Sequence, residues 1–154
     1  MLLGGRIASL IINILCVLLL LGVGIYLLAA WGSIPDEIPA HYGASGEVTR
    51  LDGKGFLWLM PSLALALFVG FLAIERFPKL WNTGVRVTEE NKFRVYGTIK
   101  SLLSSTKLII VAAFVFITVT SSLSLSLPIW FMIVFVQLLL ISSIFHIIWL
   151  FRVK

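Results

Sequence analysis

IASLIINILCVLLLLGVGIYLLAAW, residues 7–31, runs without a single charged side chain. A helix needs about 20 residues to cross a hydrocarbon layer of about 30 Å, and this run is longer. Lipid offers the backbone no hydrogen-bond partner, so a crossing segment must satisfy its own amides, as a helix does. The Ile and Val residues that favour strands in water do not decide the matter here. The run also exceeds the apolar core of about 7–15 residues in a signal peptide. Ala29-Ala30-Trp31 puts a bulky residue where cleavage wants a small one. The segment is therefore expected to be a retained anchor.

Working outward, three more apolar runs are long enough to span: residues 56–74, 101–123 and 127–151. The third has a polar first half, with Ser101, Ser104, Ser105 and Lys107, and becomes uninterrupted only from Leu108. Composition agrees: 60% of residues are hydrophobic and 12% charged, against about 25% charged in soluble domains. That leaves too little polar surface for a water-facing globule. At 154 residues the chain is expected to be one integral membrane domain, 1–154, with an outer loop 32–55 and an inner segment 75–100. Cys16 is the lone cysteine, which excludes an intramolecular disulfide. The predicted fold is all-α: a polytopic membrane protein with four transmembrane helices in a compact bundle and both termini cytoplasmic.

The orientation rests on Lys and Arg placement. Arg76, Lys79, Arg86, Lys92, Arg94 and Lys100 fall between spans two and three, Arg6 precedes span one, and Arg152 and Lys154 close the chain. The loop between spans one and two holds only Arg50 and Lys54, outnumbered by Asp36, Glu37, Glu47 and Asp52, and residues 121–126 carry no charge. The net charge of +5 is accounted for by this asymmetry and by anionic lipid headgroups. Membrane lipids are the expected partners, and nucleic acid is not.

The outer loop is the one polar stretch with specific chemistry. Proline fixes its own φ and pushes the preceding residue toward extended geometry, so Ile34-Pro35 and Ile38-Pro39 predict a stiff, extended or polyproline-like strip. Gly43 and Gly46 permit turns with positive φ. The two isoleucines are expected to point into the bilayer interface or onto the helix ends, with Trp31 and Tyr42 as interfacial aromatics. Arg50 and Lys54 lie within reach of headgroup phosphates.

The pattern Ile-Pro-Asp-x-Ile-Pro-x-His-Tyr-x-x-x-Gly-Glu, followed by Lys54, resembles the family known as domain of unknown function 1648. That family occurs in small bacterial multi-span membrane proteins, and its domain precedes the C-terminal region of SdpI-type immunity proteins. The resemblance implies residence in the bacterial cytoplasmic membrane and a link to protection against a secreted peptide toxin. It transfers by position to Pro35, Asp36, Pro39, His41, Tyr42, Gly46, Glu47 and Lys54, which are taken as the candidate binding motif, and it implies no catalytic residue.

His41 with Asp36, Glu37 and Glu47 has the donor types of a metal site or of a general base with an orienting carboxylate. The competing and favoured reading is a histidine whose ring bonds the loop backbone and holds the turn. His146 lies near the inner end of span four and reads as an interfacial or packing histidine; a proton relay would need Glu75, beside which Arg76 competes. Asn13 and Gln137 are amides within spans, read as groups that bond across helices. Ser62, Ala66, Gly70 and Ala73 form a small-residue stripe for close helix approach, and Gly22 in span one can serve similarly. Pro61 falls where a missing amide hydrogen is tolerable. Thr88 is placed as a helix cap with Glu89 and Glu90 in the first turn, opening an interfacial helix that runs into span three. Phe93, Tyr96 and Leu103 would form its apolar face, and residues 88–100 are the candidate cytoplasmic docking surface.

No phosphate loop, nucleophile elbow, dinucleotide fingerprint, cysteine pair or zinc-protease motif is present, so no cofactor, metal ligand or catalytic residue is assigned. The leading expectation is a non-enzymatic membrane protein whose loop 34–47 recognises a peptide, a lipid headgroup or a partner subunit, in an immunity or envelope-stress role. Two alternatives stand beside it. One is a membrane enzyme or metal-dependent site on a lipid-linked substrate centred on His41; the other is a small solute or ion carrier.

Overall fold

A computed structural model describes residues 3–153. The chain forms α1 (Leu3–Ala30), β1 (Glu37–Tyr42), β2 (Val48–Gly53), a short 3-10 turn (Lys54–Trp58), α2 (Leu59–Arg76), a second 3-10 turn (Pro78–Leu80), α3 (Lys92–Ser122) and α4 (Ile129–Arg152). All four long helices have the length and hydropathy to cross a membrane, and the protein is a multi-pass membrane protein. Lys154 lies outside the described residues.

The helices alternate in direction. One end of the bundle holds the β1–β2 hairpin and the α3–α4 link. The other holds the start of α1, the 77–91 segment and the end of α4. The helix α3 sits centrally, packed on α1, α2 and α4. Between helices in lipid there is little hydrophobic drive, so close packing and small polar groups must supply cohesion. The sequence provides them at heptad-like spacing. On α1, Ser9, Cys16, Val23 and Leu27 are buried, with Asn13 and Leu20 half-buried between them. On α3 the matching stripe is Ser104, Lys107, Val111, Thr118 and Ser121. On α2 the inward positions are Pro61, Ala64 and Phe68.

The predicted small-residue stripe does not join this interior. Ser62, Ala66 and Ala73 are exposed, as is Gly22 on α1, and a Cβ at Gly22 or Gly70 would meet nothing within 4 Å. Bulky Phe68 fills the α2 seam instead and reaches Cys16 and Val111. Pro61 is the third residue of α2, where the amide has no intrahelical partner in any case.

The third span is one helix of 31 residues, about 46 Å long, so its first turns extend past a hydrocarbon layer of about 30 Å. Thr88 and Asn91 cap it reciprocally: the Asn91 amide donates to Thr88 Oγ1 at 3.3 Å, and the Thr88 amide donates to Asn91 Oδ1 at 2.8 Å. Regular helix therefore begins four residues after Thr88, beyond the capping turn. Its buried early positions are Val95 and Thr98; Phe93 is 61% exposed and does not belong to the inward face. Tyr96 instead meets Trp81 edge-on at 5.9 Å.

The helix α4 rests on α3 through Phe131 stacked on Phe116 at 4.6 Å and through Ser105 and Ser142 hydroxyls 2.9 Å apart. His146 completes the seam. Its Nδ1 lies 2.7 Å from the Ser142 carbonyl, which can only accept, so Nδ1 carries the hydrogen; Nε2 lies 3.0 Å from the Ser101 hydroxyl. This is a packing histidine.

Candidate functional site

The hairpin is where the motif residues converge. Of the extended and polyproline-like geometries expected around Ile34-Pro35 and Ile38-Pro39, Ile38-Pro39 takes the extended one: Glu37–Tyr42 pairs antiparallel with Val48–Gly53, and the Gly43–Glu47 turn closes the pair. Gly46 has φ +85. Its amide donates to Gly43 O at 3.0 Å, and the Gly43 amide donates to Glu47 O at 2.8 Å. That is a tight turn followed by a left-handed residue, one of the common hairpin closures. Of the two turn glycines only Gly46 uses positive φ; Gly43 leaves room for the Glu47 carboxylate, which would lie 1.9 Å from an added Cβ.

Three fastenings hold the hairpin to the helices. Ile34 and Ile38 are buried with Leu27 and Leu57, packed against Trp31 and Trp58, so both isoleucines sit on the helix ends. At the base, Lys54 Nζ lies 2.8 Å from Asp36 and 5.6 Å from the Trp31 ring centre, and the Lys54 amide donates to Asp36 O at 2.9 Å. Lys54 thus faces Asp36. Arg50 leans on Asp52 at 3.3 Å and over the Phe56 ring. At the tip, Ser121 Oγ donates to the Pro39 carbonyl, the Leu127 amide donates to Gly46 O at 2.9 Å, and Tyr42 Oη donates to Leu125 O at 3.3 Å. The second outer link is thereby bonded to the first.

The titrating groups reflect these contacts. The hydrogen bond and charge of Lys54 hold the Asp36 carboxyl below its ordinary range. The Ser45 hydroxyl, which donates to the Glu47 carboxylate, does the same for Glu47, aided by backbone amides. Burial pushes the Tyr42 phenol up, against a smaller opposite effect of Ser121.

His41 stands apart from the set. Pairing runs from Pro39–Leu51 to His41–Arg50 to Tyr42–Val48, so Ala40 and Thr49 are skipped on either side of it. Such irregularities re-aim a side chain. The His41 ring is exposed and has no hydrogen-bond partner among the described residues; it does not hold the turn. Two of its three suggested carboxylate partners are engaged elsewhere, Asp36 with Lys54 and Glu47 with Ser45. Among the described residues no three His, Cys, Asp or Glu side chains group closely enough to hold a metal ion. His41 instead lines an apolar cleft of about 250 Å³ between the hairpin and α2, α3 and α4, together with Leu57, Met60, Ile117 and Met132. Pro35 is exposed at the start of the loop.

A second polar cluster, near the other end of the bundle, escaped the motif analysis. Lys107 Nζ, fully buried, lies 2.8 Å from Glu75 Oε1 and 2.6 Å from Asn13 Oδ1, with the Phe68 ring at 5.6 Å. Ser104 Oγ bridges toward Glu75 and Ser9, each at 3.4 Å. The cluster joins α1, α2 and α3. It binds Glu75 to Lys107, not to His146, and it gives Asn13 the cross-helix role its chemistry suggested.

Residues 17–65 match the model of a family described as a domain of unknown function, DUF1648. The match covers the second half of α1, the whole hairpin and the start of α2, and this stretch is similar to that family. No curated protein and no solved structure matches the chain.

Proposed function

We infer that this is a non-enzymatic recognition protein of the bacterial cytoplasmic membrane, whose hairpin binds an amphipathic peptide at the outer surface. One observation carries the reading: the hairpin is fixed at base, flank and tip, yet β2 is exposed along almost its whole length and His41 is left without a partner. Rigid presentation of unspent groups suits binding, because little ordering remains to oppose it. The uncovered edge of a two-stranded sheet offers main-chain bonds to an extended peptide. The cleft beneath His41 accepts an apolar side chain, and the imidazole accompanies it with a polar contact.

In this reading Asp36, Glu47, Gly46, Pro39 and Lys54 build the platform, and His41, Tyr42 and the β2 surface meet the ligand. The helix α3 links both ends of the molecule, since Ser121 touches the hairpin and the capped start of α3 opens the 88–100 segment. That continuity supports a cytoplasmic output through residues 88–100. An immunity or envelope-stress role is the physiological setting such a device fits.

A photo-crosslinking amino acid at Thr49 tests it in cells of the native host. A discrete crosslinked species is expected at Thr49, weakened by His41→Ala and absent when the crosslinker sits at the lipid-facing Leu18. Equal labelling at Thr49 and Leu18, or none at Thr49, overturns the reading.

A further inference from the structure

The helix α4 carries two stripes. One, through Phe131, Ser142 and His146, packs on α3. The opposite one is Ile133, Gln137, Ile141, Ile144 and Ile148, at spacings of four, four, three and four. Its isoleucines are 50–64% exposed. Gln137 in its midst is exposed as well and has no hydrogen-bond partner among the described residues. It lies eight residues into α4, about 12 Å along the axis and so near the middle of a hydrocarbon layer of about 30 Å. Water does not reach that depth, and an amide facing lipid there leaves both donor and acceptor unmet.

We propose that this face of α4 is the interface with a second copy of the chain, and that Gln137 bonds Gln137 of that copy. Every copy in one membrane inserts with the same orientation, so a twofold axis along the membrane normal sets the two α4 helices parallel and the two amides at equal depth. A primary amide is self-complementary, since its NH2 donates to the C=O of its twin and the reverse. The β-branched residues on either side give a seam whose side chains have little rotamer freedom to lose. A single polar residue in such a seam fixes register. Any other partner would need its own polar group at that depth, which a second copy guarantees. The hairpin and its cleft take no part, so this pairing is independent of the function inferred above.

The test uses the full-length protein in lipid vesicles of phosphatidylethanolamine and phosphatidylglycerol, with dimer fraction read by single-molecule photobleaching as protein density is varied. Wild type is expected to dimerise. Gln137→Leu, which makes the helix more apolar and leaves insertion favourable, is expected to weaken association by about 3- to 30-fold, and Gln137→Asn to restore part of the loss. In a Cys16→Ala background, oxidative crosslinking of Ile141→Cys should give a dimer band, and Leu18→Cys should not. A wild type that stays monomeric at all densities, a Gln137→Leu variant that dimerises as well as wild type, or equal crosslinking at positions 141 and 18 overturns the proposal.

Discussion

Removing the charge of Lys107 would leave Glu75 a buried carboxylate with no counter-ion. Breaking one side of such a pair costs about 3–5 kcal/mol, whereas replacing both partners with apolar groups is often near neutral. Lys107→Met is therefore expected to lower thermal stability in detergent sharply, and Lys107→Met with Glu75→Leu to recover most of the loss. Additive losses in the double variant would show that the two residues act separately. The pairing was legible in principle. Lys107 lies 15 residues from the hairpin end of α3 and Glu75 16 from that of α2, about 22 and 24 Å of helix, so they share a depth. Read along span three alone, Lys107 is only a polar interruption. At the hairpin base the titration has a definite sign. Asp36 is held below its ordinary value of 3.8, so its contribution is full above that pH and is lost as pH falls through the lowered value. Amide-exchange protection in residues 36–54, taken relative to the intrinsic rate at each pH, should fall over that acid range, and Lys54→Met should abolish the Asp36 part of the dependence, leaving the part due to Glu47.

Between single residues and the bundle, the hairpin and its fastenings set what each substitution does. Gly46 combines φ +85 with the Leu127 carbonyl 2.0 Å from where a Cβ would lie, and that obstacle is backbone. Gly46→Ala should destabilise by about 1–3 kcal/mol from conformation alone, and should also detach the α3–α4 link from the tip. Gly43→Ala meets only the free end of the Glu47 side chain and should change thermal stability much less; equal effects would contradict the turn geometry. Ile38→Ala empties a fully buried site between α1 and the 3-10 turn and should cost about 2–5 kcal/mol. The sequence made the isoleucine anchors and the turn glycines readable, because Ile-Pro repeats and Gly spacing are local signals. The strand pairing was not readable. Its partner, residues 48–53, reads Val-Thr-Arg-Leu-Asp-Gly, too short and too polar to announce a strand by alternation. The bond from Ser121 to Pro39 joins segments 82 residues apart, and no local pattern encodes it.

At the scale of the molecule, the four spans were legible because hydropathy alone selects them, while which faces meet was not. The Ser62, Ala66, Gly70 and Ala73 stripe on α2 stayed out of the interior, and bulky Phe68 with polar Lys107 and Asn13 formed the seam, because a buried charge pair outweighs close approach in deciding which stripe turns inward. What hydropathy leaves open is which end of the bundle faces the cytoplasm, and charge decides that through its bias toward the inner side. The end bearing both termini holds Arg6, Arg76, Lys79, Arg86, Lys92, Arg94 and Arg152, with Glu89 already bonded to Lys92. The hairpin end holds Arg50 and Lys54, each beside an aspartate. The hairpin should therefore face outward. In a Cys16→Ala background, Ser45→Cys is expected to react with a membrane-impermeant maleimide in intact cells, and Thr83→Cys only after permeabilisation. The reverse pattern would put the hairpin inside, and with it would go the outer-surface peptide as ligand, while the packing of α3 against its three neighbours would stand unchanged.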